Sequence, residues 1–183
     1  MSEAAVSTIT EDEYLALEAI NAARYEFVGG RARLMAGASL QHNEVTGSLY
    51  MVLRAQATGT GCRVFMENAR LRVNAQRYYY PDVMVTCVEQ SDSHHVTDPC
   101  LIVEVLSPTT ADIDRGEKRM AYLQMPSLRH FLLVHIEAGL VEHLERSGPD
   151  APWLFHQANA TMMLQVDCPA PTTIDVGDLL SQA

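Results

Sequence analysis

At 183 residues, nearly half of them hydrophobic and a fifth charged, the chain can bury a core as one domain, 1–183, without disulfides, and its composition excludes low-complexity and disordered classes. No apolar run reaches the length of a membrane span, the first ten residues lack the basic start and apolar core of a signal peptide, and Cys62, Cys87, Cys100 and Cys168 are widely spaced with no CxxC pair. The expectation is a cytoplasmic protein with reduced cysteines, no structural zinc cluster and no membrane partner. Its net charge of -10 opposes a phosphate backbone at long range, although a local basic patch or bound cations can override the sum.

Thr10 followed by Glu13 fits a capping box opening a helix over Glu11–Ala22. Tyr25 to Met35 alternates around Gly29-Gly30 and reads as a hairpin, with Glu26 on its first strand. Ser39 to Gln56 carries Leu40, Val45, Leu49, Val52 and Leu53 at helical spacing, and Gly59 and Gly61 end it. Cys62 to Val73 reads as a strand or bent pair of strands broken at Glu67-Asn68, and Tyr78 to Cys87 as the next strand, with Pro81 where no ladder bond is needed. Glu89 to Pro99 is a polar loop, and its His94 and His95 read as surface residues. Basic residues gather at Arg54, Arg63, Arg70, Arg72 and Arg77, and again at Arg115, Lys118 and Arg119; by themselves they read as solvated faces.

Leu101 to Leu106 is apolar at every position but Glu104, the pattern of a strand covered on both faces. Ser107-Pro108-Thr109-Thr110 is a sharp exit into a helix over Ala111–Met125, stopped by Pro126. Arg129–Ile136 and Leu140–Arg146 form a hairpin, Trp153–Gln157 and Met162–Val166 add strands, and Ile174–Leu180 closes with a short helix. The order predicts an α/β fold: a mixed central sheet flanked by helices.

A lone carboxylate in an apolar strand is costly unless it is paired or holds a cation. Alternation puts Glu104 on the face of Ile102 and Leu106, and Asp82 on the face of Met84 and Thr86, so pairing in register sets the two acids side by side. Such a pair repels unless a divalent cation lies between the carboxylates or one is protonated. Helical phase turns Lys118 inward beside Ala111, Ala121, Tyr122 and Met125, away from Asp112, Arg115 and Arg119. Two carboxylates holding Mg²⁺ or Mn²⁺, with a lysine beside the attacking water, fit phosphodiester hydrolysis. The residues alone leave plainer alternatives open: a buried Lys118–Glu104 ion pair with Asp82 ending a strand, a helix salt bridge from Asp114 to Lys118, or a metal-free carboxylate pair acting on sugars.

The succession YEFVGGRARLMAGASLQHN, RVFMENARLRV, YYYPDVMVTC, LIVEVLSPTT and DRGEKRMAYLQMPSLRHFLLV resembles the Uma-two family of restriction-endonuclease-like proteins, within the PD-(D/E)XK nuclease superfamily, over roughly Glu11 to Leu180. The resemblance implies a restriction-endonuclease-like core with an added N-terminal helix and hairpin, and a Mg²⁺-dependent (or Mn²⁺-dependent) DNA endonuclease. It makes Asp82 and Glu104 the metal-binding acids and Lys118 the catalytic lysine, displaced onto the helix because Leu106 holds its usual place. The backbone carbonyl of Val105 would complete the metal shell, Glu26 would join the catalytic set, and His42, with Tyr122 on the helix, would support it. Gly29-Gly30 departs from the Asp-Gly common in relatives. DNA as partner and a homodimer follow as expectations; a nuclease-like fold kept as a silent interaction or dimerisation module is the competing one.

Overall fold

The structure, a computed structural model, describes residues 8–21, 23–35, 37–107 and 111–181. Helix α1 (Glu11–Ile20) opens with the expected capping box: the Thr10 hydroxyl accepts from the Glu13 N–H at 3.2 Å and the Thr10 N–H donates to Glu13 Oε2 at 2.7 Å. Strands β1 (Tyr25–Val28) and β2 (Arg31–Leu34) form the hairpin, with Gly29 and Gly30 at φ 55 and 83, the left-handed pair such a two-residue turn requires. The hairpin is no appendage. It continues through β5 (Arg77–Tyr79) and β4 (Arg70–Asn74) to the short β7 (His95–Val96) as a five-stranded sheet. Tyr14 of α1 stacks on Phe27 with ring centroids 4.9 Å apart and leans on Tyr78, which fastens the helix to that sheet.

The second sheet has six strands in the order β11-β10-β9-β8-β6-β3. They are β3 (Arg63–Met66), β6 (Val83–Thr86), β8 (Leu101–Val105), β9 (His130–His135), β10 (Leu140–Glu145) and β11 (Leu154–Asn159). The pair β8–β9 is parallel and the rest antiparallel, so the sheet is mixed as the element order predicts. Every residue of β8 is buried, because α2 (Leu40–Gln56) covers one face with Val45, Leu49 and Leu53. The opposite face, with Met84, Ile102, Phe131 and Leu133, is covered by Ala121, Tyr122 and Met125. Ala121 and Tyr122 belong to a helical stretch between β8 and β9, with Met125 just past its end: α3 (Ala111–Ile113), a π-helical segment Asp114–Lys118, and α4 (Arg119–Leu123). A small hairpin, β12 (Met163–Val166) with β13 (Thr172–Asp175), and α5 (Val176–Ser181) close the α2 side.

Four readings of the sequence change. The single strand over Tyr78–Cys87 is two, β5 and β6, in different sheets; Pro81, with no N–H for a ladder bond, sits at the crossing and leaves Asp82 just outside β6. The polar loop after β6 holds β7, which pairs with β4. Strand β13 was not expected: Ile174 and Asp175, read as the start of the closing helix, pair with Leu164 and Met163 of β12, and the helix begins at Val176. The cysteines are not reduced: Cys62 is joined to Cys87 and Cys100 to Cys168. The exit through 108–110 lies outside the described residues. Among the described residues no helix is long and apolar enough to cross a membrane.

Candidate active site

Strands β6 and β8 run antiparallel with Val83 opposite Val103 and Met84 opposite Ile102. Continuing that register by one step sets Asp82 opposite Glu104. Glu104 is only 2% exposed, and its Oε1 accepts a 2.7 Å hydrogen bond from the Tyr122 hydroxyl. Asp82 is less buried and is gripped from the α2 side: its Oδ2 accepts from the Val105 N–H at 2.6 Å and lies 3.3 Å from His42 Nε2. Ser39 caps α2 by accepting from the His42 N–H, which places the imidazole in the first turn, facing the end of the sheet.

Lys118 is 6% exposed and its Nζ lies 3.0 Å from Glu26 Oε1, 3.2 Å from Glu104 Oε1 and 3.0 Å from Asp114 Oδ1. The wider turn of the π segment carries both Asp114 and Lys118 inward; such segments recur at functional sites. Burial pushes the Lys118 pKa down, but the surrounding carboxylates, Glu104 first, more than reverse it and hold the group as an ammonium. Burial drives Glu104 well above the ordinary carboxylate range; Lys118 opposes this and the charges of Asp114 and Asp82 reinforce it. For His42, burial favours the neutral ring, yet Asp82, Glu67 and the Val105 backbone outweigh it and raise its pKa.

Acidic groups outnumber basic ones here. Glu26, Asp82, Glu104 and Asp114 are gathered around Lys118, and Arg33 meets Glu26 from the outer side, its NH2 2.6 Å from Oε2 and 3.1 Å from Glu117 Oε1. An oxygen-rich donor set of this kind fits a hard divalent cation. The side chains border a cleft of about 580 Å³ whose walls include Glu26, Arg33, His42, Glu67, Asp82, Glu104, Asp114 and Lys118.

Of the residues singled out from the sequence, Asp82, Glu104, Lys118, Glu26 and His42 meet at this cleft. Tyr122 reaches Glu104 from the helix behind it, and Val105 contributes its backbone through its bond to Asp82 and the one to His42. Sequence reasoning treated Asp114 only as a helix partner and did not single out Arg33 or Glu67. A signal for Arg33 existed, since the hairpin register sets it directly across from Glu26. Glu67 marks the break between β3 and β4, where it takes φ 44 and its N–H donates to the Asp82 carbonyl at 3.0 Å. Of the clustered basic residues, Arg72 is 3.0 Å from Glu11 and Arg119 3.3 Å from Glu142. His94 and His95 both lie 3.4 Å from Asp92 and do not border the cleft.

The Uma2 family model, described as "Putative restriction endonuclease", matches residues 11–172. Two Synechocystis proteins are similar along most of their length. One, sll1609, is 34% identical over 160 residues, 85% of this chain and 90% of its own; the other, slr1290, is 31% identical over 161 residues, 86% and 84% respectively. A solved structure titled as a putative nuclease belonging to DUF820 from Anabaena variabilis superposes with a TM-score of 0.74 at 16% identity, covering 95% of this chain and 98% of that one. At that identity the likeness speaks for the fold, which is that of a nuclease-fold protein with mixed sheets flanked by helices.

Proposed function

Since the chain belongs to the Uma2 family of restriction-endonuclease-like proteins, we propose that it is a Mg²⁺-dependent or Mn²⁺-dependent DNA endonuclease acting at the cleft bordered by Asp82, Glu104 and Lys118. The observation that carries this reading is the convergence of those three side chains, from the start of β6, the end of β8 and the π segment, on one cleft. Asp82 and Glu104, with the Val105 carbonyl beside them, would hold the cation, which when bound supplies Lewis acidity towards a phosphate oxygen and a more acidic water. Lys118 holds a positive charge at the cleft wall, suited to orienting a water and offsetting charge that develops on phosphorus. Glu26 and Asp114 fix the ammonium in place, and His42 and Tyr122 orient the two acids. A cytoplasmic location and a homodimer, the arrangement that brings two such sites to a duplex, belong to the same proposal.

Supercoiled DNA incubated with the protein and Mg²⁺ should be nicked, Asp82→Ala and Lys118→Ala should each reduce nicking by about a hundredfold or more, and a chelator should abolish it. Unchanged nicking in both variants defeats the reading, and activity that survives the chelator turns attention to a metal-free carboxylate pair. The full engagement of Lys118 by carboxylates favours one competitor, a silent nuclease-fold interaction module. Calorimetry separates them: a silent module shows no Mn²⁺ binding that depends on Asp82 and Glu104.

A further inference from the structure

All four cysteines of the chain meet at the end of the six-stranded sheet opposite the carboxylate cleft. Cys62 immediately precedes β3, Cys87 follows β6, Cys100 immediately precedes β8 and Cys168 follows β12. Asp82 and Glu104 occupy the other ends of β6 and β8, so the same two strands carry a carboxylate at one end and a cysteine at the other. The sulfurs of Cys87, Cys100 and Cys168 lie within 4.8 Å of one another, and Cys62 is bonded to Cys87.

Pairing of β6 with β8 brings the two disulfides together, and Cys87 Sγ lies 3.6 Å from Cys100 Sγ, across the two pairs. That spacing matches the edge of a sulfur tetrahedron, about 3.8 Å when metal–sulfur bonds are about 2.3 Å. The Cα atoms of Cys62 and Cys87 are 4.0 Å apart, closer than the range of about 4.4–6.8 Å usual for disulfides. Cross-strand neighbours at that spacing present two thiols side by side. The adjacent carboxylate is already engaged: Asp167 Oδ1 is 2.6 Å from His130 Nε2 and its Oδ2 accepts from Arg129 at 3.2 Å. The donor set is therefore all sulfur, which selects soft thiophilic ions over Mg²⁺. Cys100 and Cys168 are buried, Cys62 is half-buried and Cys87 is exposed, which gives a closed floor and an open side for entry.

We propose that these four cysteines form a tetrathiolate site for Zn²⁺, distinct from the carboxylate cleft, and that the two disulfides are its oxidised, metal-free state. The exchange balances: two equivalents of a dithiol reductant supply four electrons and four protons to the two disulfides and leave as their own disulfides. Zn²⁺ then takes the four thiolates with release of the four protons. Zinc so held ties the starts of β3 and β8 to the ends of β6 and β12, fixing the frame on whose other end Asp82 and Glu104 stand.

The test uses the full chain, reduced with a phosphine and loaded with Co²⁺ or Zn²⁺. The expected result is one sulfur-bound ion per chain, the intense visible and near-ultraviolet absorption of tetrahedral Co²⁺ bound to thiolate sulfur, and four thiols shielded from alkylation until a chelator is added. Cys87→Ser, at an exposed position, should lose that absorption, whereas Asp82→Ala should keep it. Disulfides that resist the reductant, or a reduced chain whose four thiols alkylate freely in the presence of zinc, overturn the proposal. So does an absorption unchanged in Cys87→Ser or lost in Asp82→Ala.

Discussion

Lys118 Nζ stands 3.2 Å from Glu104 Oε1, a contact between the π segment and the last turn of sheet before the cleft, with both residues almost fully buried. Because Glu26 and Asp114 share the same ammonium, the lysine neutralises a cluster rather than a single partner. Its removal therefore has a structural cost separate from chemistry. Lys118→Met should destabilise the fold by about 3–5 kcal/mol, on the order of 10 °C in Tm, by leaving buried carboxylates uncompensated. Added Mn²⁺ should recover more of the loss in the variant than it adds to the parent, since the cation supplies charge the lysine no longer does. Thermal melts with and without the ion measure both effects, and equal gains in the two proteins would mean that the cation does not take over the charge of the lysine.

The Tyr122 hydroxyl donates 2.7 Å to Glu104 from a fully buried ring that also packs edge-on against Tyr79 and Phe131. Tyr122→Phe keeps the packing and deletes the donor, so it isolates the hydrogen bond. It should cost about 1–3 kcal/mol in urea denaturation and weaken, without abolishing, nicking. A variant as stable and as active as the parent would show that Glu104 needs no support from the helix behind it.

Acid should loosen the protein at the far end of the sheet. Burial, reinforced by the charge of neighbouring His130, pushes the His143 pKa down to about 4, and the two rings meet with nitrogens 3.0 Å apart. In the unfolded chain the same imidazole titrates near 6.5. Between those values the unfolded state binds the extra proton, so the contribution is intact above about pH 6.5, is lost progressively as pH falls towards 4 and changes no further below it. The loss is at most about 3 kcal/mol. Urea midpoints at pH 7 and pH 5 should differ in the parent, and the difference should shrink in His143→Gln.

Much of the carboxylate cleft was legible because its signals are local. Glu104 is conspicuous inside an apolar run, helical phase predicts an inward Lys118, and alternation along two strands allows Asp82 opposite Glu104. What was not legible depends on the path of the whole chain. The crossing at Tyr80–Asp82 sends one apparent strand into two sheets, a choice made by which strands are available to pair. The π segment replaces a periodic pattern with a wider turn that periodicity does not encode. The cysteines, isolated in the sequence, meet because four element ends stack at one edge, which spacing along the chain does not reveal.

His42 offers the sharpest test of how the acids are held. Its Nε2 lies 3.3 Å from Asp82 Oδ2, the same oxygen that accepts from the Val105 N–H, so Asp82 is fixed from two directions. That leaves its other oxygen as the natural ligand towards the cleft. Partners that orient a metal-binding carboxylate typically contribute about 10–100-fold to affinity. His42→Ala should therefore weaken Mn²⁺ binding by that factor in calorimetry, while α2, which owes its packing to Val45, Leu49 and Leu53, keeps the fold intact. Unaltered Mn²⁺ affinity in a folded His42→Ala protein would remove the imidazole from the site.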